Sequence, residues 1–180
     1  VNNKIYSFGG QGNCCGGCYT NNTYEYDVAN NTWATKANMP ISVYGHTAVA
    51  YNNKIYIFGG AVSGGPNPSN YVYEYNPSTN TFTQKASMPT PRCDAYARVY
   101  NNEIYVFGGG TNRVEIYNPA TNTWRTGMNM PDIRSGFGGG VVGNKIYIIG
   151  GGTGSSVYNN TWEYNPTLDT GPMFYMHCKQ

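Results

Sequence analysis

Charge is scarce in this sequence. Asp, Glu, Lys and Arg make up 11% of its 180 residues, against about a quarter in an ordinary soluble domain. The formal net charge is +2 and the basic residues are scattered, so no basic patch marks a nucleic-acid surface. Long apolar runs are missing as well: none approaches the roughly 18 residues of a membrane-spanning helix. Histidine is limited to His46 and His177, which narrows any imidazole-based metal or proton-transfer chemistry. What the chain does have is 18 Tyr and 24 Gly. Tyr favours strands and Gly favours turns, so the expected class is all-β. The length is enough for a substantial core.

Internal repetition organises the chain. Glycine pairs close an aromatic or aliphatic run at Gly9-Gly10, Gly59-Gly60, Gly108-Gly109 and Gly150-Gly151, a period of roughly 40–50 residues. A second marker follows three of them: "YEYDVANNTW" (24–33), "YEYNPSTNTF" (73–82) and "EIYNPATNTW" (115–124). A third, "ANMP", "ASMP" or "MNMP", ends at Pro40, Pro89 and Pro131.

Each marker has a mechanical reading. Asn52-Asn53 joins two apolar runs, as a two-residue turn with φ > 0 at both positions would. Asn2-Asn3, Asn101-Asn102 and Gly143-Asn144 occupy the same place. The strand after the turn is apolar on both faces and is expected to be covered on both sides. Tyr26, Tyr75, Tyr117 and Tyr164 end a third strand. Asn31, Asn80 and Asn122 suit a left-handed position just before the fourth. That fourth strand opens on Trp33, Phe82 or Trp124, rings expected to bury roughly 150–250 Å² between neighbouring sheets. Each unit is therefore a four-stranded antiparallel sheet that needs a neighbour on both faces, which radial stacking into a β-propeller supplies.

"NNKIYIFGG … YEYNPSTNTF … MP … R" resembles the kelch repeat. The resemblance covers nearly the whole chain and implies a kelch-type propeller region over 1–180, with about four blades at approximately 1–40, 41–89, 90–131 and 132–180. The first repeat lacks its innermost strand. In the last, Gly171 stands where the marker ring belongs, Asp169 replaces the Asn, and the tail "GPMFYMHCKQ" fits a fourth strand poorly. Fourteen strands are secure, with at most one more from the tail. Kelch propellers usually close with more blades than this, so the favoured reading is a part of a larger propeller. Remaining blades would come from the same parent chain or a second chain. An unusual small propeller is the other reading.

Candidate chemistry is thin. Cys14, Cys15 and Cys18 lie in "CCGGC", where Cys15 to Cys18 has metal-ligand or redox spacing. No second C-x-x-C accompanies it, so a loop disulfide or free thiols are preferred over a metal site. With five cysteines at least one lacks an intrachain partner. The glycine runs at 136–140 and 150–156 are followed by no Lys-Ser or Lys-Thr, so they read as strand and loop rather than phosphate cradles. Glu25, Glu74 and Glu163 share one repeat position and read as scaffold. The resemblance also implies two enzyme alternatives, a copper oxidase-like and a sugar-acid isomerase-like kelch protein, and a purely structural surface or filament protein is a third. No cofactor and no metal are expected.

Recognition is the leading reading. In the kelch arrangement, the loops joining strands two and three share a face with those joining one blade to the next. The first set, 11–22, 61–70, 111–113 and 152–156, varies in length as a binding rim does. The second set contributes Tyr44, His46, Arg92, Asp94, Arg134 and Ser135. The resemblance implies partner contact by an Arg after "MP". Arg92 and Arg134 match, whereas Val43 stands there in the preceding unit. Such arginines suit a carboxylate or sulfate through forked hydrogen bonds, or are plain exposed arginines after a turn. The expected partner is a protein or a glycan, with no nucleic acid and no membrane span. Low charge and the sequons at Asn21, Asn30 and Asn159 lean towards an extracellular or cell-surface location. A cytoplasmic adaptor is the alternative.

Overall fold

Paired asparagines turn the chain back on itself. In the computed structural model, which describes residues 1–12, 18–167 and the backbone of Phe174–His177, φ is 51° and 57° at Asn2 and Asn3, 47° and 58° at Asn52 and Asn53, and 48° and 64° at Asn101 and Asn102. These are the left-handed values that a type I′ hairpin demands. The fourth turn differs from expectation: Gly143 alone has positive φ, 60°, which is the type II′ pattern.

The chain divides into two units, Val1–Cys93 and Asp94–Gln180. In the first, β1 (Lys4–Phe8), β2 (Thr23–Asp27) and β3 (Thr32–Thr35) form a three-stranded antiparallel sheet in that order. β4 (Val43–Tyr44), β5 (Thr47–Tyr51), β6 (Lys54–Phe58), β7 (Ala61–Val62), β8 (Val72–Asn76) and β9 (Thr81–Gln84) follow. They give a four-stranded sheet β5-β6-β8-β9 and a short ribbon β4-β7. In the second unit, β10 (Ala95–Tyr100), β11 (Glu103–Gly108), β12 (Val114–Asn118) and β13 (Thr123–Thr126) make one four-stranded sheet. β14 (Gly138–Val142), β15 (Lys145–Ile149), β18 (Thr161–Tyr164) and β19 (Phe174–His177) make the other, with a ribbon of β16 (Gly152–Thr153) and β17 (Ser156–Val157). The architecture is all-β, a set of kelch-type blades, with no helix among the described residues.

The tail does supply a fourth strand. Tyr26, Tyr75 and Tyr117 stand opposite Trp33, Phe82 and Trp124 across β2–β3, β8–β9 and β12–β13. In the last sheet the residue opposite Tyr164 is Phe174, not Gly171. The marker position is displaced along the chain, and counting from Tyr164 over a fixed interval misses it.

The third-strand tyrosines are pinned by the left-handed asparagines. Tyr26, Tyr75 and Tyr117 donate from their hydroxyls to Asn31, Asn80 and Asn122 Oδ1 at 2.6, 2.9 and 2.7 Å. Those asparagines have φ of 53°, 55° and 56°. In each unit a Phe of one sheet meets a third-strand Tyr of the next edge-on. Phe8 lies 5.5 Å from Tyr75, and Phe107 lies 5.2 Å from Tyr164, between ring centroids. Around them collect Met39, Val43, Ile55 and Ile57 in the first unit, and Ile116, Met130, Ile146 and Ile148 in the second.

Ion pairs bind the second and third strands. Lys4 pairs with Asp27, Lys54 with Glu74 at 2.6 Å, and Lys145 with Glu163. In the third sheet the signs are exchanged: Glu103 takes the lysine's place, and Arg125 on β13 meets it at 2.6 Å. Glu25, Glu74 and Glu163 also accept from Tyr6, Tyr56 and Tyr147 hydroxyls at 2.5, 2.7 and 3.0 Å. The glutamates are scaffold. The bond from Tyr6 and the nearby lysines hold the Glu25 carboxyl below its ordinary range.

The first sheet departs from expectation on one face. Ile5 is 56% exposed, whereas its counterparts Ile55 and Ile104 are 6% and 0% exposed. Trp33 is 60% exposed and rests on Tyr26 of its own sheet, 5.0 Å away. It does not fill an intersheet core as expected. Phe82 does, packing at 6.1 Å on Phe8. Phe82→Ala should therefore cost about 2–3 kcal/mol and Trp33→Ala about 1 kcal/mol or less, measured by urea denaturation.

Candidate functional site

The segment after each "MP" is tied down by backbone. Asn21, Asn70 and Asn112, just before a third strand, clasp Met39, Met88 and Met130 from both sides. The Met N–H donates to the Asn carbonyl at 2.7, 2.9 and 2.7 Å. The Asn amide donates to the Met carbonyl at 3.1, 3.1 and 3.3 Å. Four residues on, Val43, Arg92 and Arg134 offer their carbonyls to the second glycine of the first three pairs. Gly10, Gly60 and Gly109 N–H donate to them at 2.8, 2.7 and 2.9 Å. A Cβ on the first glycine would stand 2.5 Å from the Val43 oxygen at Gly9 and 2.5 Å from the Arg134 oxygen at Gly108. The glycine pair exists for that approach.

This geometry buries the side chains at the shared position. Val43, Arg92 and Arg134 are each 0% exposed. Neither arginine is an open claw at the surface, and the expectation of a forked site for a ligand's carboxylate meets a different arrangement. Arg134 forks onto Asp132, Nε to Oδ1 and Nη2 to Oδ2, both at 2.7 Å. It also donates to Gly150 O at 2.8 Å and Asn160 Oδ1 at 3.0 Å, and stacks 4.4 Å from the Tyr158 ring. Trp162 Nε1 donates to the same aspartate at 3.3 Å. The carboxylate is internal, so this is a structural network. Burying a guanidinium is tolerable only when its donors are answered. Val43 standing at the matching position was the available sign that the site is interior.

The other predicted residues lie as follows. Ser135 is half-buried and bridged to Gly152 in both directions, at 2.9 and 3.0 Å. Asp94 is exposed with φ of 55°, and its carbonyl accepts from Gly136 N at 3.0 Å. Arg113 is the exposed arginine of the 111–113 loop. Asn21 of the first sequon is engaged by Met39, and the sequon's Thr23 is fully buried; Asn30 and Asn159 are exposed. Cys14 and Cys15 fall outside the described residues, as does the side chain of His177. Cys18 is exposed. Among the described residues no three of His, Cys, Asp and Glu gather as metal ligands, and no helix is long and apolar enough to cross a membrane.

Tyr44 and His46 build a more open patch in the first unit. β4 holds Tyr44 opposite Ala61 on β7. Its ring sits 4.5 Å from that of Tyr19, and both rings are half-exposed. Tyr19 was not singled out from sequence; its position in the longest of the strand-two-to-three loops was the one available signal. His46 Nδ1 is buried and finds no hydrogen-bond partner among the described residues, and burial lowers its pKa from the ordinary 6.5.

The KLHDC2/KLHL20/DRC7 kelch-repeats domain matches residues 1–170. The chain belongs to this kelch-repeat family. It is 33% identical over 73 residues to the Rho GTPase-activating protein gacHH of Dictyostelium discoideum, a stretch that is 39% of this chain and 5% of that protein. The solved structure of YjhT superposes with a TM-score of 0.81 at 17% identity, covering 99% of this chain and 63% of the other. That likeness concerns fold. The chain spans only part of either relative.

Two outcomes follow for this kelch chain. Asp132→Ala leaves Arg134 buried without its carboxylate and should cost about 3–5 kcal/mol in urea denaturation. His46 is held neutral by burial, so below pH 6.5 the unfolded chain takes up its proton first and stability falls. His46→Gln should flatten that fall; an unchanged pH profile would place the titration elsewhere.

Proposed function

We propose that this kelch region is a non-catalytic recognition module, binding a protein through the loop face of its first unit at Tyr19, Tyr44 and His46. The observation that carries the reading is the half-exposed tyrosine pair, 4.5 Å between centroids, beside the exposed 63–68 loop. Kelch-repeat domains are consistent with protein interaction, and Tyr is a favoured interface anchor. A photo-crosslinking residue at Tyr44 should capture a partner from source extract, and the same residue at exposed Thr83 on β9 should not. Equal capture from both positions would refute the placement. Paired aromatic faces also suit stacking on sugar rings, so a glycan is the second reading; a glycan array separates the two. No specific observation among the described residues favours the oxidase-like or isomerase-like reading.

Further blades, from the same parent chain or a second chain, would cover the exposed Ile5 and Trp33. A loop disulfide within Cys14, Cys15 and Cys18 fits an extracellular or cell-surface setting, with a cytoplasmic location as the alternative. Under denaturing, non-reducing conditions a single disulfide leaves three reactive thiols of the five cysteines. Five reactive thiols would contradict it.

A further inference from the structure

The three N-x-T sequons, at Asn21, Asn30 and Asn159, are not treated alike by the fold. Two of them fall on one scaffold position. Asn21 is a clasping asparagine, its amide donating to Met39 O at 3.1 Å. Its neighbour Asn22 offers a carbonyl to Gly9 N–H at 2.9 Å, and Asn160 offers its own to Gly150 N–H at 3.1 Å. Asn159 therefore stands where Asn21 does. The hydroxyl residue of the first sequon, Thr23, is 0% exposed. In the third, Asn160 accepts from the buried Arg134 at 3.0 Å.

Asn30 differs in kind. It lies in the turn between β2 and β3, where Asn30, Asn31 and Thr32 are all exposed. The matching turns of the second and third sheets read Thr79-Asn80-Thr81 and Thr121-Asn122-Thr123. There the two threonine hydroxyls bond each other, at 2.8 and 2.7 Å. Asn30 replaces the first threonine, so Thr32 loses that hydroxyl partner. The left-handed asparagine is kept: φ is 53° at Asn31, 55° at Asn80 and 56° at Asn122. The turn thus needs its second asparagine and makes no demand for the first. Asn30 Nδ2 does donate to Asp27 Oδ2 at 2.8 Å, but an amide has two such hydrogens and a glycosylated one keeps one of them for that bond. Asp27 also accepts from Lys4 and from the N–H groups of Ala29 and Asn30.

We propose that Asn30 is an N-glycosylation site, a proposal that rests on the extracellular or cell-surface reading above. An N-x-T acceptor belongs on a surface loop of a secreted protein. The donor is a lipid-linked oligosaccharide diphosphate. The bond from Nδ2 to the sugar C1 forms, the bond from C1 to the diphosphate oxygen breaks, the amide gives up one proton and the lipid diphosphate leaves. The placement spares the tyrosine rim. Across β1 and β2, Phe8 pairs with Thr23 and Lys4 with Asp27. The loop bearing Tyr19 therefore leaves one end of the sheet and the Asn30 turn the other.

The test expresses the 180-residue chain behind a secretion signal in cultured eukaryotic cells. Secreted and retained protein are both treated with peptide N-glycosidase in heavy-oxygen water, which turns each glycosylated asparagine into a labelled aspartate read by mass spectrometry. Label is expected at Asn30 in most secreted molecules, and none at Asn21. Asn30→Thr installs the residue of the other two turns, so it should lose the glycan and still be secreted folded. Thr32→Ala leaves Asn30 in place and should lose the glycan too. No label at Asn30 in either fraction, or more label at Asn21 or Asn159 than at Asn30, overturns the assignment. If Asn30 is labelled in the secreted chain but bare in the protein from its own source, the extracellular setting is overturned instead and the acceptor geometry stands.

Discussion

One close approach holds this architecture together: a backbone carbonyl after "MP" resting against a glycine pair at the end of a blade's second strand. The carbonyl belongs to Val43, Arg92 or Arg134, and the N–H of Gly10, Gly60 or Gly109 meets it. The asparagine clasp on Met39, Met88 and Met130 fixes the segment that delivers it. Both ties are made by main chain or by a repeated asparagine. The residue at the tie is therefore free to be Val or Arg, provided its side chain finds an interior partner. Arg134 finds one in Asp132, with Gly150, Asn160 and Tyr158 completing the site.

This constraint also separates scaffold from recognition. The glycine pairs, third-strand tyrosines and left-handed asparagines repeat because each answers a fixed geometric need. Apart from the clasping Asn21, Asn70 and Asn112, the loops between strands two and three do not repeat, and the half-exposed Tyr19–Tyr44 ring pair has no counterpart in the repeat pattern. A propeller rim can vary without disturbing the blades for that reason.

Much of the fold was legible because it rests on local rules. Asn at φ > 0, alternating apolar strands and the Tyr-to-ring interval are read from neighbours in the chain, and Asn31, Asn80 and Asn122 stand where those rules put them. Three features escaped for tertiary reasons. Arg92 and Arg134 look like surface arginines until the carbonyl tie draws them inside. Trp33 looks like Phe82 and Trp124, but its surroundings differ. Phe174 stands further along the sequence from Tyr164 than the marker rings of the other repeats do from their tyrosines, and only the pairing register places it opposite Tyr164. The candidate site was half legible: Tyr44 and His46 were named from their loop, while Tyr19 needed the distance between two rings.

Contact between the first glycine and the following carbonyl, not backbone conformation alone, sets the first three blades. Gly108 and Gly110 both have positive φ, 58° and 84°. A Cβ on Gly108 would meet the Arg134 carbonyl and the Phe137 ring, while one on Gly110 meets nothing within 4 Å. Alanine at either position bears a similar conformational cost of about 1–2 kcal/mol. Urea denaturation of Gly108→Ala and Gly110→Ala is therefore the most direct test. The account predicts that Gly108→Ala loses at least ~2 kcal/mol more than Gly110→Ala. Equal losses would contradict it.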